Sequence, residues 1–145
     1  MNDFAAALRD LNEAGVRYGL AVIRHGAVRA TKHVDVAVAT DAANLERLAG
    51  VVDRWQATNP DGSQLRAGNL RAGEALALRT PHCLVDLLSE QLLPAPLGDV
   101  LARSDIKRID GVEAPISSLA DLVAMKRSSG RGSDELDLER LRGAW

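Results

Sequence analysis

Two carboxylates stand in runs that are otherwise apolar. Asp35 lies within Val34-Asp35-Val36-Ala37-Val38, and Asp86 within Leu84-Val85-Asp86-Leu87-Leu88. A carboxylate that faces a packed layer must find a partner, whereas one on the solvated side of a strand needs none. His33 sits two residues before Asp35 and could act as a metal ligand or a general base. Lys126, Arg127 and Arg131 cluster around a glycine-rich turn (Gly130, Gly132), and Arg29, Thr31 and Lys32 precede the first carboxylate. Such cations suit phosphate oxygens, but a solvated helix end also prefers cations, and turn residues can serve only their own backbone. His25, at a helix end, and His82, in a turn, read as structural, since neither has ligand spacing to another His or Cys.

The elements that must position these groups follow from periodicity. Phe4, Leu8 and Leu11 recur at helical spacing over residues 3 to 14, behind an Asn2 cap and before Gly15. Val16 to Leu20 reads as a short strand, and Ala21 to His25 as a helical turn ending at Gly26. Val34, Val36 and Val38 alternate with Asp35 and Ala37 as a strand does, so Asp35 faces away from the valines. Asp41 opens a helix whose stripe is Leu45, Leu48, Val52 and Trp55, with Trp55 in the core rather than on a base-stacking platform.

Residues 56 to 73 are polar and glycine-rich, a surface excursion that could line the mouth of a site. Strands are expected over Ala75 to Arg79 and Cys83 to Leu88, a helix over Leu97 to Ala102, and a hairpin around Asp110-Gly111. Ser118 and Asp121 have capping-box spacing before a helix to Arg127, and Ser133 caps a last one.

The stretch Arg29-Ala30-Thr31 followed by His33-Val34-Asp35 resembles the signature of minimal nucleotidyltransferases of the DNA polymerase β-like superfamily, among them toxins of bacterial toxin-antitoxin systems. These carry a glycine-led helix, an Arg-x-Thr turn and Asp-x-Asp on a strand. Leu84 to Leu88 resembles the strand of the family's third carboxylate. Ser118 to Lys126 resembles its helix leading into a lysine, and Gly130-Arg131-Gly132-Ser133-Asp134 through Leu138 its closing segment. The resemblance spans nearly the whole chain, except the polar excursion.

It implies an α/β (α+β) nucleotidyltransferase-like mixed sheet flanked by helices, one domain over residues 1–145. The implied reaction moves a nucleoside monophosphate from an NTP to a hydroxyl on RNA or protein. Asp35 and Asp86 would hold Mg2+ or Mn2+, with His33 at the catalytic centre, and Gly19, Arg29, Thr31, Lys126 and Arg131 would contact the nucleotide. Carboxylates suit this chemistry because the protein mainly positions an in-line attack and neutralises charge.

Two departures stand out. His33 occupies the first aspartate's position, and imidazole is a poor ligand for magnesium. Tyr18-Gly19 replaces a Gly-Gly or Gly-Ser pair. Both favour a second reading, a catalytically inactive homologue acting as a binding or regulatory module with a protein partner. A third is an unrelated α/β domain in which the motif arose by chance.

Composition bounds the rest. A chain of 145 residues with 46% hydrophobic and 26% charged residues can bury a core, and a formal charge of −2 supplies no general pull toward nucleic acid. Only 3% of residues are aromatic, too few for an aromatic RNA platform. The lone Cys83 in an apolar run suggests a core thiol and a cytoplasmic setting, and no apolar run approaches a membrane span.

Overall fold

The computed structural model describes residues 3–22, 33–65, 70–121 and 123–124, with the backbone alone at Ala21, Val22 and His33. Helix α1 (Phe4–Glu13) begins at Asp3, whose side chain accepts from the Ala6 N–H at 3.0 Å. The cap is therefore Asp3, while Asn2 lies outside the described residues. At the other end the Gly15 N–H reaches the Asn12 carbonyl and the Val16 N–H the Leu11 carbonyl, both at 3.1 Å. Gly15 closes this paired arrangement with φ 72°, a conformation open to glycine at little cost.

Strand β1 (Tyr18–Val22) follows, so Ala21 and Val22 extend a strand where a helical turn was expected. It pairs antiparallel with β2 (His33–Val38), with an irregularity between Leu20 and Val22. Helix α2 (Ala42–Trp55) starts at Asp41, which caps the Asn44 N–H at 3.2 Å, and ends at Gln56 in the left-handed region. Strands β3 (Ala75–Arg79) and β4 (Leu84–Ser89) form an antiparallel pair, followed by a single 3₁₀ turn and helix α3 (Leu97–Arg103).

Strands β5 (Asp105–Ile109) and β6 (Val112–Ile116) form the expected hairpin. Asp110 and Gly111 take φ of 47° and 83°, as a type I′ turn requires. Residues 119–121 and 123–124 are helical. Ser118 Oγ accepts the Asp121 N–H at 3.2 Å, the capping contact that the spacing suggested.

All six strands join one mixed sheet in the order β3-β4-β2-β1-β6-β5, parallel at β2·β4 and β1·β6. The chain is thus a mixed α/β fold. Its core lies on one face of the sheet, where Val34, Val36, Val38, Val85 and Leu87 meet Leu8 and Leu11 of α1 and Leu48, Val51 and Trp55 of α2. Asn44 is buried there yet satisfied: its Oδ1 accepts the Arg17 N–H at 2.7 Å, and its Nδ2 donates to the Arg17 and Ala39 carbonyls at 3.0 and 2.8 Å. A buried amide with every group paired costs little and fixes the approach of α2 to the sheet. Among the described residues no helix is long and apolar enough to cross a membrane.

Candidate functional site

Period-2 alternation divides β2 and β4 between two environments. The valines of β2, with Val85 and Leu87, face the helices, so Asp35 and Asp86 face the other way. These carboxylates are also brought together. In the parallel β2·β4 ladder Asp35 pairs directly with Asp86, and residues paired across neighbouring strands point to the same side. Adjacent strands lie about 4.8 Å apart, so the two acids form one cluster at the middle of the sheet. Both are half-buried and both have interaction partners.

The same transverse row continues to Ala77 of β3, level with Asp86, and to Val22 of β1, level with Asp35. Ala77 and Ala75 are exposed, and their short side chains leave the β3 side of the acids open. Helix α3 covers a different part of this face, over β1. A Cβ added at Gly19 would lie 3.1 Å from Leu101 Cδ2. Gly19 is therefore a buried strand residue whose missing side chain admits Leu101, not the opening of a phosphate-binding helix.

The backbone of His33 is level with Leu84, two residues before Asp35. Arg29, Thr31, Lys126 and Arg131 lie outside the described residues, as do His25, Lys32 and Arg127. The described chain leaves β1 at Val22, level with Asp35, and resumes in β2 at His33.

The other singled-out residues sit elsewhere. Trp55 is core, and its Nε1 donates to Asp10 Oδ2 at 2.7 Å. His82 Nε2 bonds the same oxygen at 3.1 Å and meets the Trp55 ring edge-on at 6.4 Å. This staple ties α1, α2 and the β3–β4 turn together behind the sheet, which is the structural role expected of His82. Cys83 is buried, and burial first, with the Asp3 charge second, pushes its thiol up to about 12. Such a thiol is a core group and a poor nucleophile.

One residue on the carboxylate face carries no sequence motif. Arg79 of β3 pairs with Leu84 and is exposed. Its place becomes legible only when the alternation of residues 75–79 is registered against 84–88 through the intervening turn.

Two carboxylates of this kind supply hard oxygen donors, as magnesium or manganese needs, and such ions commonly take one or two carboxylates together with substrate phosphates. Among the described residues no group of three or more His, Cys, Asp and Glu side chains converges, so a full two-ion set is not assembled from them. No family model matches the sequence, and no curated protein matches it.

Proposed function

We propose that this chain is a nucleotidyltransferase-fold protein that transfers a nucleoside monophosphate from an NTP to a hydroxyl on RNA or protein. The observation that carries the reading is the direct pairing of Asp35 with Asp86 on the sheet face opposite the core. Chance placement would more readily have left two acids, separated by 51 positions in the chain, on opposite faces or out of register.

Asp35 and Asp86 would hold a Mg2+ or Mn2+ ion, which when bound neutralises charge on the transferring phosphate. The acceptor hydroxyl oxygen bonds to the α-phosphorus as the bond to the bridging oxygen breaks. Pyrophosphate leaves, the hydroxyl proton passes to solvent, and no covalent intermediate on the protein is needed. Arg29, Thr31, Lys126 and Arg131 are the proposed nucleotide contacts, on their resemblance to the family pattern. A cytoplasmic setting suits an NTP substrate and the single core thiol.

Incubation with α-labelled NTPs, Mg2+ or Mn2+, and cellular RNA or protein tests the reaction. Label should appear on one acceptor class, and its absence with both ions overturns the catalytic reading.

A specific observation favours a second reading, that of an inactive homologue acting as a binding or regulatory module with a protein partner. His33 stands where the family pattern has the first aspartate of this strand, leaving a pair of acids where that pattern has three. If metal and NTP binding appear only in His33→Asp, the natural chain is the inactive form.

A further inference from the structure

The three strands around Asp35 and Asp86 present one arginine on the face that carries those acids. Within β2, β3 and β4, Arg79 is the only lysine or arginine, and alternation puts it on the same side of the sheet as Ala77 and Asp86. It pairs with Leu84, two residues before Asp86, which makes it the diagonal neighbour of that acid. Diagonal neighbours across two strands are about 7–8 Å apart, within reach of a long side chain.

Arg79 nevertheless does not close onto Asp86. Among the described residues no carboxylate lies within salt-bridge distance of it. The guanidinium extends toward the turn at Asn59–Ser63, where a Cβ added at Gly62 would lie 3.9 Å from Nη1. Its backbone is held at the same time. The Thr58 N–H donates to the Arg79 carbonyl at 3.0 Å, and the Arg79 N–H to the Thr58 carbonyl at 2.8 Å. The polar excursion thus fixes the root of this side chain at the rim of the carboxylate face, with exposed Ala77 and Ala75 leaving the intervening surface low.

We infer that Arg79 is a positioning residue that takes a phosphate group of the substrate on the β3 side of the acids. The inference rests on the nucleotidyl-transfer reading above. A guanidinium is suited to the role because its planar fork engages two phosphate oxygens at once. The exposed guanidinium, rooted at the rim of the carboxylate face, is placed to meet a phosphate that approaches from β3. The phosphate belongs either to the NTP tail or to the backbone of an RNA acceptor.

The full chain is titrated with Mn2+-ATP and, separately, with a single-stranded oligoribonucleotide in the presence of Mn2+, as wild type, Arg79→Ala and Arg79→Lys. Arg79→Ala is expected to weaken binding of the ligand that supplies the phosphate about tenfold, and Arg79→Lys to recover part of it. If the ligand is RNA, the slope of log affinity against log salt falls by about 1 in Arg79→Ala, a change that a merely structural role would not produce. Wild-type affinity for both ligands in Arg79→Ala overturns the inference alone. A wild-type chain that binds neither ligand overturns the nucleotidyl-transfer reading, and this inference with it.

Discussion

The two faces of the sheet are built from the same strands and differ in almost everything else. On the helix side Val34, Val36, Val38, Val85 and Leu87 are at most 1% exposed. On the other side Asp35, Leu84, Asp86 and Leu88 are half-buried, and Ala75, Ala77 and Arg79 are exposed. One face is a close-packed core whose side chains hold the fold together. The other sets two carboxylates side by side, each with an interaction partner. Paired acids in place of apolar residues near the centre of a sheet point to use rather than packing.

If the contrast is real, equivalent truncations on the two faces will differ. Leu87 and Leu88 are adjacent in sequence, and only Leu87 faces the helices. Leu87→Ala is expected to cost about 2–5 kcal/mol in urea unfolding, and Leu88→Ala less than half as much. Equal costs would mean that both faces are core.

High pH probes the helix face by itself. Burial, partly offset by the hydrogen bond to Asn12, pushes the Tyr18 hydroxyl up to about 12 from its ordinary value of 10.0. Burial likewise raises Cys83 to about 12 from 9.0. Both groups favour the folded state while neutral, so their contribution is complete below pH 9. It is lost as pH rises toward 12, because the unfolded chain ionises first. Unfolding free energy should fall by about 2–3 kcal/mol from Tyr18 alone. Tyr18→Phe should flatten that part of the profile, and an unchanged profile would contradict the burial of the phenol.

Asn44→Ala strands the Arg17 N–H and two carbonyls beneath α2. It should cost about 1–3 kcal/mol in the same unfolding assay.

On the open face Asp35→Asn with Asp86→Asn keeps the shape and hydrogen-bonding capacity of two half-buried side chains and removes their carboxylates. The smallest effect is expected here, within about 1 kcal/mol in either direction. A loss as large as that of Leu87→Ala would mean that the acids serve the fold instead.

The fold was largely legible because its signals are local. Alternation marked β2, short β-like runs marked β3 and β4, the Asp110-Gly111 pair marked the β5–β6 turn, and helical spacing marked α1 and α2. Local signals failed at β1, where Ala21 and Val22 have no alternating polar neighbours and their strand state comes from pairing with β2. The N-cap was misassigned by one residue, because Asn2 and Asp3 are both able caps and only the position of the helix decides between them. The site was legible as two acids in apolar strands, and the family resemblance paired them, but their direct register was not legible. Their adjacency depends on the parallel β2·β4 register, set by a crossover through α2 that no short window contains. The packing role of Gly19 and the place of Arg79 were hidden for the same reason, since one is defined by Leu101 of a distant helix and the other by its rank in a hairpin.

The central claim is that Asp35 and Asp86 act together on a metal-bound nucleotide. Calorimetric titration with ATP and Mn2+ tests it most directly in the wild type and in the Asp35→Asn, Asp86→Asn double variant. Saturable binding by the wild type that disappears in a folded double variant is the predicted result. No binding by the wild type, or equal binding by both proteins, would contradict the claim.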